Sequence, residues 1–145
     1  MVITVDTNIV FQGLYSNKGA SNMILRLIRD EQVRLALSVP VFLEYHEVLN
    51  RPSTLTKTGL SEKHINAVLD LIAYVGYKYQ IDYLYRPNLS DESDNKFVEL
   101  ALASNSVYLI TTNTKHFTVK NELSLHPVMV VTPGQFIRIW RFENE

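Results

Sequence analysis

Five short β-rich apolar runs, separated by segments with helical apolar spacing, predict an α/β domain with a central, mainly parallel sheet. Two further observations support that class. The first run, Val2-Ile3-Thr4-Val5, closes on an acid, Asp6, as buried strands do when they deliver a side chain to the carboxyl edge of a sheet. The chain has 145 residues, 46% of them hydrophobic, which suits a single domain over 1–145 with a core of its own.

After the first strand, Ala20 to Asp30 carries Met23, Ile24, Leu27 and Ile28 at helical spacing, while TNIVFQG and Tyr15 read as a loop before it. Val33 to Val39 reads as a second buried strand. Pro40 then opens a helix with Val41, Leu43, Val48 and Leu49 near one stripe and Glu44 in its first or second turn, and Arg51-Pro52-Ser53 ends it. Ser61 to His64 starts another helix, with Ile65, Val68, Leu69, Leu71 and Ile72 as its apolar face and Gly76 as its stop. Tyr77 to Tyr85 holds at least one strand, and the alternation of its tyrosines favours packing. Asp91-Glu92-Ser93-Asp94 sets acids before the helix NKFVELALA, where they suit the macrodipole. Val107 to Thr111 and Val128 to Val131 read as two more strands, and Thr132-Pro133-Gly134 leads into a last helix holding Phe136, Ile137 and Trp140.

Composition removes several function classes. Lys and Arg total 14 against 15 Asp and Glu, a net charge of −1, so no global basic field marks a nucleic-acid binder. With no cysteine there is no disulfide framework, Cys-ligated zinc, iron–sulfur cluster or thiol nucleophile. MVITVD lacks the basic and apolar regions of a signal peptide, and no apolar run approaches the roughly 20 residues of a membrane span, so the expectation is a soluble, cytoplasmic protein without a membrane partner.

The acids define the candidate site. Asp6, Glu44, Asp91 and Asp94 all fall, in a parallel α/β sheet, at the carboxyl edge. Each has an ordinary reading alone: Asp6 as a cap or turn former, Glu44 as a solvated helix residue, Asp91 as an N-cap. Gathered together they require a cation, because close like charges raise one another's pKa. An all-oxygen site of that kind suits Mg²⁺ or Mn²⁺ and metal-assisted phosphodiester hydrolysis. Around it, Lys96, Lys115, Lys120, Lys18 and Arg51 are candidate phosphate contacts, and Tyr15 and Tyr45 candidate stacking surfaces, with solvated charge or core packing as the alternatives.

In that combination VDTNIV, VPVFLEYHEVLNRP, DESDNKFVELALAS and VYLITTNTKHF resemble the PIN-domain ribonucleases, in particular the VapC-like toxins of toxin–antitoxin systems, over essentially the whole chain. The resemblance implies a three-layer α/β/α fold with a mainly parallel sheet of about five strands, an acidic Mg²⁺ or Mn²⁺ site, an RNA substrate, a cognate antitoxin and a homodimer. It implies that Asp6, Glu44 and Asp94 are the metal acids, Asp91 an additional acid, Asn8 a structural residue tying down the loop after the first strand, and Thr112 the Ser/Thr beside the site. One departure stands out. Relatives carry an Asp at the place of Asn113 or of His116, so here Asn113 is a neutral fourth metal corner. His116 reads as a surface turn residue or a general acid.

Competing site types are absent. TNIVFQG has a single glycine, which excludes Rossmann and P-loop phosphate sites. Asn8 stands where a haloacid-dehalogenase-like phosphatase needs a second Asp, and Asp6 lacks the acid pair of a receiver domain. The remaining alternative is a non-catalytic PIN domain that binds RNA or a protein partner.

Overall fold

The computed structural model describes residues 1–81, 95–117 and 128–144. Among them run β1 (Val2–Val5), α1 (Thr7–Tyr15), α2 (Ala20–Arg29), β2 (Arg34–Leu37), α3 (Val39–Leu49), α4 (Pro52–Thr58), α5 (Glu62–Val75), β3 (Tyr77–Lys78), α6 (Asn95–Ala103), β4 (Tyr108–Ile110), a 3-10 turn (Thr114–Phe117), β5 (Met129–Val131) and α7 (Pro133–Asn144). The strands form one sheet in the order β3-β2-β1-β4-β5, and every neighbouring pair is parallel.

Chain order runs one way from β1 through β2 to β3, then resumes on the other side of β1 with β4 and β5. Right-handed crossovers therefore place helices on both faces of the sheet, which gives three layers. The reversal falls between β1 and β4, and the crevice beyond the carboxyl ends of those strands is where open α/β sheets bind their ligands. Register fixes that edge: Val5 pairs with Ile110, and the Asp6 N–H continues the ladder to the Ile110 carbonyl at 2.9 Å.

Two helices were not legible. TNIVFQGLY forms α1 where a loop was expected, because the chain turns from β1 into the helix on Asp6 alone, whose extended backbone (φ −63°, ψ 148°) makes it the N-cap. α1 lies tightly on α2 at Gly13, where a Cβ would stand 2.4 Å from Leu25 Cδ1. PSTLTKT forms α4, with Pro52 at its first position rather than as a stop and with Gly59 closing it at φ +69°.

The core is apolar and continuous across the sheet, with Ile3, Val5, Ile9, Leu49, Leu100, Leu109 and Phe136 among its fully buried members. Beneath the carboxyl edge an aromatic row binds three elements together. Tyr45 of α3 meets Phe97 of α6 with ring centroids 6.5 Å apart, and Phe97 meets Phe117 of the 3-10 turn edge-on at 6.4 Å. Tyr45 is completely buried, so it is a core residue and not a stacking surface. α7 closes the fold through Phe136 and Ile137 while leaving Phe142 exposed. Among the described residues no helix is long and apolar enough to cross a membrane.

Candidate active site

Asp6 stands at the end of the central strand, nearly buried, and Glu44 reaches it from the second turn of α3. Helix α3 is placed by its cap, in which the Val41 N–H donates to Ser38 Oγ, and by the Tyr45 hydroxyl, which donates to the Val5 carbonyl one residue before Asp6. The same helix turn thus fixes the backbone at β1 with Tyr45 and presents Glu44 beside it. Thr7 Oγ1, at the start of α1, donates to Glu44 Oε2. Thr111, one residue past β4, donates its hydroxyl to Asp6 Oδ2 at 2.7 Å, while its own oxygen accepts the Asn113 N–H at 3.1 Å. From α6, Lys96 Nζ donates to Glu44 Oε1 at 2.9 Å.

Electrostatics at Asp6 are opposed to its charge. Burial raises its pKa above the ordinary carboxylate value; the Thr111 hydroxyl lowers it, Glu44's negative charge raises it, and the Thr7 and Asn8 backbone N–H groups lower it, with the rise prevailing. The Tyr45 phenol is pushed far up by burial first, then by the charges of Asp6 and Glu44, so it remains a protonated donor. Asp6 thus lies close enough to Glu44 to feel its charge, Tyr45 feels both, and the ammonium of Lys96 bonds Glu44 and not Asp6.

The described residues bring Asp6, Glu44, Thr7, Thr111 and Lys96 into one hydrogen-bonded group, with Asn113 one link away. Asp91, Asp94 and Lys120 lie outside the described residues, and among those described no group of three or more His, Asp or Glu forms a metal cluster. Just past β4, Thr111 is buried and Thr112 exposed, and it is Thr111 that bonds the acid. Asn8 is exposed on α1, and among the described residues the turn into α1 is held by the Ile9 N–H on the Asp6 carbonyl at 3.0 Å. Asn113 is exposed and its amide nitrogen lies 3.1 Å from His116 Nε2. Lys115 is exposed on the 3-10 turn, and Arg51 is paired with Glu47 at 2.7 Å. Lys96, expected at a phosphate, is the partner of a site acid in this structure.

Sequence reasoning passed over Asn95. It opens α6, is 4% exposed, and its Oδ1 is buried without a hydrogen-bond donor. Its neighbour Lys96 reaches Glu44, and α6 packs on both β1 and α3. An orphaned carbonyl oxygen on that turn is an acceptor fit for a hard cation or its water. The residues present therefore suit Mg²⁺ or Mn²⁺: carboxylate oxygens from Asp6 and Glu44, a neutral oxygen from Asn95, and no soft ligand.

Carboxylates gathered outside the carboxyl ends of parallel strands place the chain among α/β domains that act at a topological switch point. Within that class it belongs to the PIN domain family, whose model matches residues 2–115. The fold is similar to that of a chain in the crystal structure of VapBC2 from Rickettsia felis bound to a DNA fragment from its promoter, with a TM-score of 0.58 and 16% identity, covering 91% of this chain and 98% of that one. No curated protein matches the chain.

Proposed function

We propose that the chain is a metal-dependent endoribonuclease that hydrolyses RNA phosphodiester bonds, and that it is the toxin of a toxin–antitoxin pair. The observation that carries this is the Asp6–Glu44 pair at the switch point of a PIN domain, in which burial and the charge of Glu44 raise the pKa of Asp6. Asp6, Glu44 and Asn95 would hold Mg²⁺ or Mn²⁺, with Asp94 as a further acid, Asp91 as an auxiliary one and Asn113 as a neutral corner. When bound, such an ion lowers the pKa of an attacking water and steadies the leaving oxygen.

The chain's own residues do the positioning. Thr111 and Thr7 hold one oxygen each of Asp6 and Glu44, which fixes the direction of the remaining lone pairs. Tyr45 anchors the strand end that carries Asp6, and its raised pKa keeps it a donor through the working range. Lys115, exposed on the 3-10 turn, is the phosphate contact of this reading. The likeness of the fold to a chain of a VapBC2 complex supports an antitoxin partner, and a cytoplasmic homodimer completes the reading.

One observation favours a second reading, a PIN domain that binds RNA or a protein without cleaving it: the Lys96–Glu44 ion pair satisfies a site acid without metal. Cleavage of a labelled, mostly single-stranded RNA in Mg²⁺ and Mn²⁺, beside EDTA and Asp6→Asn controls, separates the two. Metal-dependent cleavage lost in the variant supports the nuclease; retained RNA or partner binding with no cleavage in either metal supports the binding module.

A further inference from the structure

Glu44 is committed on both sides. Lys96 Nζ donates to Oε1 at 2.9 Å and Thr7 Oγ1 donates to Oε2. Asp6 is the deeper acid, yet it has only hydroxyl and backbone donors and no cationic partner among the described residues. Among the described residues the one cation hydrogen-bonded to the pair therefore stands on the more accessible carboxylate, with the Arg51 guanidinium, paired to Glu47, acting on Glu44 only at a distance. With 20% of the Glu44 side chain and 30% of the Lys96 side chain exposed, solvent screens the pair only in part.

A hard divalent cation sits about 2.0–2.1 Å from a carboxylate oxygen. An ion on Glu44 Oε1 would then lie within about 5 Å of the ammonium as it now stands, the sum of that bond and the 2.9 Å hydrogen bond. Three positive charges at that separation in a partly buried site repel one another. The lysine can yield, because its head is a hydrated point charge on a flexible four-carbon stem that already reaches solvent. Asn95, the residue before it, cannot follow: it is buried, and its oxygen is an acceptor, not a competing cation. The first turn of α6 thus carries a buried oxygen at one position and a displaceable ammonium at the next.

We propose that Lys96 is the resident counter-ion of the site and the direct competitor of the divalent metal: its ammonium neutralises Glu44 when no metal is bound and leaves Oε1 when one binds. The proposal rests on the metal-site reading above. It makes apparent metal affinity the difference between gaining an ion and losing an internal ion pair, and it identifies Lys96 as a positioning residue whose charge sets the metal concentration at which the site fills.

Mn²⁺ binding to the folded protein, measured by titration calorimetry and by the electron paramagnetic resonance of free Mn²⁺ at fixed ionic strength, tests this on the wild type, Lys96→Gln and Lys96→Arg, with circular dichroism confirming the fold. Lys96→Gln is expected to bind Mn²⁺ about ten-fold more tightly, the worth of one competing ion pair, and Lys96→Arg, which keeps the charge, to bind within about three-fold of wild type. Equal or weaker binding by Lys96→Gln overturns the proposal and leaves the metal site intact. Absence of Mn²⁺ binding in all three proteins overturns both. Tighter binding by Lys96→Gln without RNA cleavage in any of them keeps the proposal and removes the nuclease. Independent of any substitution, the Lys96 ammonium resonance of the wild type, followed by nitrogen-15 NMR, is expected to move during a Mg²⁺ titration and to saturate with the metal site; a resonance that stays still while metal binds overturns the proposal.

Discussion

Two polar clusters hang on the same strand and are built to opposite specifications. Two residues before Asp6, the hydroxyl of Thr4 bonds Ser106 Oγ at 2.9 Å, and Ser106 bonds Ser104 Oγ at 2.7 Å, in the turn that leads from α6 into β4. All three are buried and neutral, and Ser104 also reaches the Ala101 carbonyl at 3.3 Å. Donors and acceptors are matched within the cluster, so burial costs little. Two residues on, Asp6 and Glu44 are carboxylates that repel, and the hydrogen-bonded ammonium beside them is on Glu44 alone. The difference teaches which cluster holds the fold and which one waits for something else. A matched network stabilises by itself; an unmatched one stores a cost that a ligand can relieve.

The sharpest break of that comparison is Asp6→Asn. If the carboxylate cluster is catalytic, RNA cleavage is expected to fall by about 10³-fold or more, as when a charged member of a metal site is neutralised. Stability is expected to move the other way. Because the folded state raises the Asp6 pKa, the wild type carries a penalty wherever Asp6 is ionised, and that penalty disappears as both states become protonated below the ordinary value of 3.8. In urea unfolding, Asp6→Asn should therefore be the more stable protein at neutral pH, with its advantage shrinking as pH falls through the raised value.

Next in size is the effect of the ligand itself. Mg²⁺ or Mn²⁺ at a hundred-fold excess over its dissociation constant is expected to add about 2.7 kcal/mol to wild-type stability in a thermal melt. Asp6→Asn should show little of this gain, and EDTA should reverse it. On the matched side, Ser106→Ala removes the hydroxyl that joins Thr4 to Ser104 and is expected to cost about 1–3 kcal/mol by denaturant unfolding, with metal binding per folded molecule unchanged. Smallest of all is Arg51→Ala. It breaks an exposed pair with Glu47 within α3's reach of the site, and a melting temperature equal to wild type is the expected result.

What could be read beforehand follows from the range of the forces involved. β1, β2, β4 and β5 are apolar runs bounded by turn residues, and α2, α3, α5, α6 and α7 have helical spacing, so local pattern sufficed. α1 was hidden because Thr7 and Asn8 resemble turn formers and Gly13 a loop, while its actual warrant is packing on α2. α4 was hidden because Pro52 signals both an end and a beginning. At the site, Asp6 and Glu44 were legible as acids placed at one sheet edge. The Thr111–Asp6, Lys96–Glu44 and Thr7–Glu44 bonds span 105, 52 and 37 residues and have no local signature. Asn95 carries no charge, and only its burial without a donor marks it.

The place of β1 at the middle of the sheet has a consequence for synthesis. Its partners are β2, some thirty residues on, and β4, more than a hundred residues on, each joined in parallel. Such distant pairings are closed late, since loop entropy must be overcome before the contacts form. On a ribosome that delivers roughly 5–20 residues per second, the Asp6–Thr111 bond cannot form until the 105 residues that follow Asp6 have left the tunnel. A nascent chain of this protein thus carries Asp6 through the synthesis of more than a hundred further residues before its site can assemble.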